Sequence, residues 1–255
     1  MKIGDEVVQV QNGTLNLERM QIHDLCDVQG LDASNIKKVL LNDNYLSSIA
    51  ELSCLTQIEE LTLYNNKIQD MSGIENLTNL RTLTLSRNKI VDITGLEHLV
   101  MLTELYLDDN AIGEIKCLET LGLLRVLWLG DNRIHEIKGL DNLMSLEELY
   151  LGYNAITKME GFDGLEHLRE LVLFYNHISE VEGLDTMKRL ESLNLNFNNI
   201  KVVHGFGNMR GLKTLALGKN PLPEEERKRC GGFDKEGLAL DTAKVALACR
   251  KEILA

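Results

Sequence analysis

Nine asparagines recur along this chain at a constant interval of 22 residues, without an insertion or deletion between them. They are Asn44, Asn66, Asn88, Asn110, Asn132, Asn154, Asn176, Asn198 and Asn220. Aliphatic residues stand eight, five and three positions before each asparagine, as Leu124, Leu127 and Leu129 do before Asn132. A fixed period of this length indicates a repeat array, in which each unit buries its apolar side chains only by stacking on its neighbours.

The pattern LxxLxLxxN is typical of leucine-rich repeats and predicts an α/β solenoid. We expect the LxL segment of each unit to form a short strand whose two leucines point inward. The strands would stack as a curved parallel sheet on the concave side, and each asparagine amide would bond the backbone of the neighbouring turn. The rest of each unit is short and usually contains a glycine, which favours short 3₁₀ turns on the convex side over full α-helices.

The period also divides the chain into three parts. Residues 1–31 are expected to form an N-terminal cap and a variant first repeat, in which Leu15 and Leu17 occupy the strand positions. Residues 32–222 hold the regular 22-residue leucine-rich repeats, and residues 223–255 are expected to form a C-terminal helical cap.

Both open ends of a stacked core need a cover. At the N-terminus, Val7, Val8 and Val10 are candidates for an edge strand. The segment from Thr242 to Leu254 is rich in alanine, leucine and lysine and predicts a helix. We expect this helix to close the last repeat, and a separate partner-binding helix is the alternative.

The composition bears on partners and compartment. A formal net charge of −12 repels nucleic acid and anionic membranes, so it favours a protein partner with a basic surface. The five cysteines include no CxxC pair, which favours a reducing compartment. Because no signal peptide or membrane-spanning run is found, we expect a cytoplasmic or nuclear protein, monomeric on its own.

Function must be sought at the strand positions that the repeat leaves free, which lie six, four and two residues before each asparagine. Aromatic residues occupy five of these positions and acidic residues another five, whereas Lys38 is the single basic residue. The aromatic residues are Tyr64, Tyr106, Trp128, Tyr150 and Phe174, and the acidic residues are Glu60, Glu104, Asp108, Glu148 and Glu170. Tyr153, Tyr175 and Phe197, each directly before its asparagine, extend the aromatic surface along the rim.

Two interpretations of these thirteen residues compete. Strand propensity alone enriches aromatic residues on a pleated surface. A protein-binding patch is the interpretation we favour, because tryptophan and tyrosine dominate interface hot spots and an acidic flank selects a basic partner.

Catalytic chemistry finds little support in the sequence. The six histidines are scattered among the repeats, and neither an HExxH motif nor a phosphate-binding loop occurs. Glu148 and Glu170 could form a carboxylate pair in adjacent strands, as a hydrolase would need, but regular surface acids explain them better. We therefore expect no enzyme activity, no cofactor and no metal.

The unit itself resembles a known family. Repeats such as NKIVDITGLEHLVMLTELYLDDN and NHISEVEGLDTMKRLESLNLNFN resemble the leucine-rich regulatory subunits of protein phosphatase type 1, and the resemblance extends from Ile36 to Leu222. It implies that the concave surface binds the phosphatase catalytic subunit through aromatic and acidic residues. The residues that match that surface by position are Tyr106, Trp128, Tyr150, Phe174, Glu104, Glu148 and Glu170.

The resemblance has limits and alternatives. Residues 224–255 do not follow the short cap with which that family ends. The repeat is also similar to that of axonemal dynein leucine-rich light chains, which implies a cytoskeletal scaffold in the cilium or axoneme, and to that of a leucine-rich spliceosomal subunit. Bacterial internalins share the period, but the lack of a signal peptide argues against them.

Overall fold

The computed structural model describes residues 2–3, 6–7, 9–25, 33–184, 186–204, 206, 209, 211–229 and 231–232. Within these ranges the strands are β1 (Lys2–Ile3), β2 (Glu6–Val7), β3 (Thr14–Asn16), β4 (Lys38–Leu40), β5 (Glu60–Thr62), β6 (Thr82–Thr84), β7 (Glu104–Tyr106), β8 (Val126–Trp128), β9 (Glu148–Tyr150), β10 (Glu170–Val172), β11 (Ser192–Asn194) and β12 (Thr214–Ala216). Strands β3 to β12 form one parallel sheet in chain order, which confirms the predicted solenoid. The variant first repeat contributes β3, so the sheet has one strand more than the nine asparagines imply.

The N-terminal edge strand was predicted wrongly. Strands β1 and β2 pair with each other in a separate antiparallel sheet, so Val7 lies in a strand that is not part of the ten-stranded sheet. Val10 lies outside any strand and is 37% exposed. Val8 falls outside the described residues.

The leucines and isoleucines of successive units form one continuous core. In the central unit Leu124, Leu127 and Leu129 are 0% exposed, and the same positions are buried in every regular unit. Burying one such side chain contributes about 1.5–3 kcal/mol. Because each unit buries its leucines against the units on both sides, the core exists only in the stacked array.

The asparagine ladder is formed as predicted. Asn132 donates hydrogen bonds from its side-chain nitrogen to the carbonyl oxygens of Leu107 (3.0 Å), Leu129 (3.1 Å) and Gly130 (3.1 Å). Its side-chain oxygen accepts a bond of 2.9 Å from the backbone N–H of Ile112. Each ladder asparagine thus joins its own strand to the preceding unit, and the ladder ties the units together where the strands end.

The convex side holds short turns. Within the described residues, 3₁₀ helices occur at Ala33–Asn35, Ala50–Cys54, Ile74–Asn76 and Leu96–His98. Later units keep the same three-residue hydrogen bonds, as from the N–H of Leu121 to the carbonyl of Leu118 (3.0 Å). The predicted 3₁₀ turns are therefore confirmed.

A short helix follows the last repeat, inside the segment 223–255 for which a helical cap was predicted. The charged run Glu224–Arg229 forms helix α1, with acids in its first turn and bases in its last, which complements the helix dipole. Glu226 accepts a 2.6 Å bond from the N–H of Val203, and Arg229 pairs with Glu226 at 2.5 Å. This helix is therefore anchored to the preceding unit. The helix predicted over 242–254 lies outside the described residues.

Candidate protein-binding surface

The centre of the sheet carries a stripe of aromatic rings. Tyr106, Trp128 and Tyr150 are register partners in β7, β8 and β9. Their ring centroids lie 5.2 Å apart between Tyr106 and Trp128 and 4.7 Å apart between Trp128 and Tyr150. All three are half-buried. The continuous stripe that the sequence predicted is formed, and its rings cover one another in part.

The indole nitrogen of Trp128 is buried, and its N–H has no hydrogen-bond acceptor among the residues that the structure describes. A buried donor left unpaired costs about 1–3 kcal/mol, so the stripe holds a polar group that the fold does not satisfy.

Acidic side chains flank this stripe on the same strands. Glu148 and Glu170 are direct register partners, and Val126 separates Glu148 from Glu104. The hydroxyl of Tyr106 donates a 3.2 Å bond to Glu104, and burial together with this carboxylate raises the pKa of Tyr106 to about 12.

The acids also perturb one another. Burial raises the pKa of Glu148, and the negative charges of Glu170, Glu147 and Glu104 raise it further. Burial and a hydrogen bond to Glu170 likewise raise the pKa of the Tyr150 hydroxyl. Arg125, which pairs with Glu147 at 3.0 Å, offsets part of this charge. The centre of the sheet therefore keeps an excess of negative charge, which a basic partner would neutralise.

The raised pKa of Glu148, caused by burial and by the neighbouring acids, predicts a pH-dependent gain of stability for Glu148→Gln. A carboxyl whose pKa rises on folding weakens the fold while it is ionised, and the penalty vanishes below its unfolded pKa, where both states are protonated. We expect the variant to be more stable than the parent near neutral pH by up to about 1 kcal/mol, and equally stable below about pH 4. Thermal melts across this range measure the difference.

Glu180→Gln, at an exposed site on the turn side, is the control and should show no such trend. A constant difference between Glu148→Gln and the parent at every pH would contradict a raised pKa of Glu148 in the folded protein.

Three of the predicted site residues, Glu60, Tyr64 and Asp108, contact other side chains instead. Lys38 pairs with Glu60 at 2.7 Å, so that carboxylate is already neutralised. Asp108 accepts a 2.6 Å bond from the hydroxyl of Ser86. Tyr64 has the guanidinium of Arg87 over its ring at 5.5 Å and makes no ring contact with the stripe.

The remaining aromatic residues form a second cluster at the rim. Tyr153, Tyr175 and Phe197, hereafter the rim ladder, stack with ring centroids 4.5 Å and 4.0 Å apart and planes within about 11°. They are 49%, 40% and 37% exposed, more than the rings of the central stripe. Phe174 packs edge-on against Tyr153 at 4.9 Å. The predicted patch thus consists of two clusters, a half-buried stripe and an exposed ladder.

Gly152 is a residue that the sequence analysis missed. A Cβ atom at this position would lie 2.5 Å from the ring of Phe174, so the ring of Phe174 occupies the space that a side chain would need. The signal was present, since glycine replaces a side chain at a strand position one repeat before Phe174. Gly152 therefore leaves room for the ring of Phe174, which packs edge-on against Tyr153.

No group of three or more histidine, cysteine or acidic side chains within the described residues could hold a metal ion. Helices in the described ranges are all too short or too polar to cross a lipid bilayer.

Comparisons with known proteins place the fold in a family. The leucine-rich repeat family matches residues 56–98 and 166–202 in one form and residues 122–178 in another. Internalin C2 of Listeria monocytogenes is 32% identical over 72% of this chain and 80% of its own, with a TM-score of 0.67. The chain belongs to the leucine-rich repeat family, whose members generally act as protein–protein interaction modules on non-catalytic solenoids.

Other solved structures are similar over parts of their length. TLR13, solved in complex with ssRNA13, is 28% identical over 80% of this chain, with a TM-score of 0.70, and this chain spans 32% of it. The functional domain of InlJ from Listeria monocytogenes is 18% identical with a TM-score of 0.64, which shows the fold alone. No curated protein sequence matches. These matches identify the repeat family and do not single out phosphatase regulators within it.

Proposed function

We propose that this protein is a non-catalytic interaction subunit that binds a basic protein partner on the concave face of its sheet. The observation that carries the proposal is the aromatic stripe Tyr106–Trp128–Tyr150 beside the clustered carboxylates of Glu148 and Glu170. Aromatic anchors supply hot-spot energy, and clustered acids speed association with a basic surface and select it.

We further propose that this partner is the catalytic subunit of protein phosphatase type 1, bound in the cytoplasm or the nucleus. Support comes from the resemblance of the 22-residue unit to that family's regulators and from the position of seven aromatic and acidic residues on the matching surface. Among these, the central stripe and its carboxylates are contiguous on strands β7 to β10.

The decisive variant is Trp128→Ala, measured with immobilised phosphatase catalytic subunit. Removing a central aromatic anchor typically costs about 2–4 kcal/mol, so affinity should fall roughly 30- to 1,000-fold. Because Trp128 packs on Tyr106 and Tyr150, we also expect a loss of about 1–2 kcal/mol in stability. A thermal melt establishes that the variant is folded at the temperature of the binding measurement.

Lys138→Glu on the turn side is the control, since Lys138 pairs there with Glu114 at 2.6 Å and lies away from the sheet. It should leave affinity unchanged. Normal binding by Trp128→Ala together with lost binding by Lys138→Glu would show that the concave face is the wrong surface. If the parent protein does not bind the phosphatase subunit at all, the phosphatase assignment fails.

A further inference from the structure

The rim ladder stands at a backbone position that aromatic residues rarely occupy. In all nine regular units the residue directly before the asparagine has a left-handed backbone, with φ between 50° and 60°. Asparagine and aspartate tolerate this conformation best, and Asp43, Asn65, Asp109 and Asp131 follow that preference. In three consecutive units aromatic side chains stand there instead, exposed to solvent. The fold gains no core packing from these rings, so an external contact is the natural explanation.

Charged side chains at the same register in earlier units are paired within the chain. Asp43 binds Arg19 at 3.1 Å and accepts a 2.8 Å bond from Asn65. Arg87 and Asp109 lie 3.2 Å apart. The N-terminal half of the rim is therefore electrostatically satisfied.

The two charges that bracket the rim ladder differ from these. Asp131 precedes Tyr153 by one unit, and Lys219 follows Phe197 by one unit. Both are exposed, and neither forms an ion pair or a side-chain hydrogen bond with any residue that the structure describes. A cleft of about 540 Å³ runs along the ladder with both of them in its lining.

Asp131 and Lys219 cannot meet within one chain. They are four units apart, and adjacent strands lie about 4.8 Å apart, so about 19 Å separates their backbones. Along the rim the order is one negative charge, three aromatic rings and one positive charge. If a second copy of the chain lies against the first in the opposite direction, Asp131 of each copy faces Lys219 of the other. Tyr175 of one copy then faces Tyr175 of the other in the middle.

We propose that the rim ladder is a self-association surface that takes a second copy of this chain. The two copies run antiparallel about a two-fold axis beside Tyr175. This is an isologous contact, in which one patch is complementary to itself. It goes beyond the binding of a partner on the concave face and does not depend on that partner's identity. The proposed dimer also differs from the monomer that we expected from the sequence.

The size of the patch sets the strength of the contact. The exposed parts of the three rings amount to roughly 250 Å² per copy, well below the ~800 Å² per partner of stable complexes. We therefore expect a weak dimer, with a dissociation constant above about 1 μM.

Charge exchange at the two ends tests the proposal. Sedimentation of the full chain from about 10 μM to about 1 mM should show a monomer–dimer equilibrium in the parent. Asp131→Lys alone and Lys219→Asp alone should each weaken self-association about tenfold or more, because like charges then face each other at both ends. An equimolar mixture of these two variants should associate, and the double exchange in one chain should restore the dimer.

Tyr175→Asn tests the centre of the contact. Asn65 occupies the same left-handed register in another unit, so the substitution is compatible with the backbone and the variant should fold. We expect association to weaken more than about 30-fold, since one substitution removes rings from both copies at the axis. Tyr45→Asn, at a 42% exposed tyrosine away from the ladder, should leave it unchanged.

A parent protein that remains monomeric to about 1 mM would overturn the proposal. So would a dimer that persists unchanged in both single charge variants and in Tyr175→Asn, because another surface would then form it.

Discussion

Asn132→Ala is expected to lower the free energy of unfolding by roughly 2–4 kcal/mol. The substitution removes three donated hydrogen bonds, to Leu107, Leu129 and Gly130, and leaves the N–H of Ile112 without its acceptor. Alanine cannot replace any of these bonds, and water reaches the partly buried turn poorly. Urea or guanidinium unfolding of parent and variant, with equal slopes, measures the loss.

Asn79→Ala is a matched control, because Asn79 is exposed and donates one bond of 2.8 Å to the carbonyl of Thr56. It should cost under about 1 kcal/mol. Equal losses at Asn79 and Asn132 would mean that a ladder asparagine stabilises the fold no more than an exposed asparagine does.

Asn44→Ala should cost about as much as Asn132→Ala. Asn44 belongs to the first regular unit, where fraying of an end unit would suggest a smaller loss. The structure places β3 before it, and Asn44 reaches across to the carbonyl of Leu17 at 2.8 Å and to the N–H of Ile22 at 3.0 Å. Asn44 is also only 4% exposed. The first regular unit is therefore packed like an internal unit, and fraying should not reduce the loss.

Gly161→Ala is expected to be of similar severity, at about 2–4 kcal/mol. Gly161 has a φ of 77°, a left-handed conformation that is unfavourable for alanine. A Cβ atom there would also lie 2.1 Å from the carbonyl oxygen of Ile137 in the preceding unit. The backbone atoms of Gly161 and Ile137 cannot move apart unless their two repeat units separate. The substitution therefore weakens the packing between these units. Chemical denaturation again gives the measurement.

Gly113→Ala and Gly122→Ala are the controls. Neither glycine has a left-handed backbone, and no atom lies within 4 Å of the Cβ that each would gain. Both variants should be neutral or slightly stabilising, because alanine reduces the freedom of the unfolded chain. If Gly161→Ala unfolded with the same free energy as these controls, the close packing between convex turns would not explain why glycine stands at this position.

The sequence by itself determined the architecture of the array. The 22-residue period specified which leucines are buried, which residues form strands and where the asparagine ladder runs. This works because every unit packs against neighbours of the same pattern, so equivalent positions have equivalent surroundings. The face positions followed from strand alternation, so Tyr106, Trp128 and Tyr150 could be predicted to align. Outside the period this logic failed at β1 and β2, where local pairing decides the structure. It predicted a helical cap after the last repeat without giving the bounds of the helix Glu224–Arg229.

Only the tertiary structure decided how the candidate surface divides. The sequence lists Glu60 and Glu148 as equivalent acids, yet Lys38 neutralises the first, whereas Glu170 and Glu104 crowd the second. It places Tyr153, Tyr175 and Phe197 beside the stripe but cannot show that their rings stack on a left-handed backbone. Nor can it show that Asp131 and Lys219 remain unpaired among the described residues. Charge pairing and ring contact depend on which neighbouring unit a side chain reaches, and that is a property of the stacked fold.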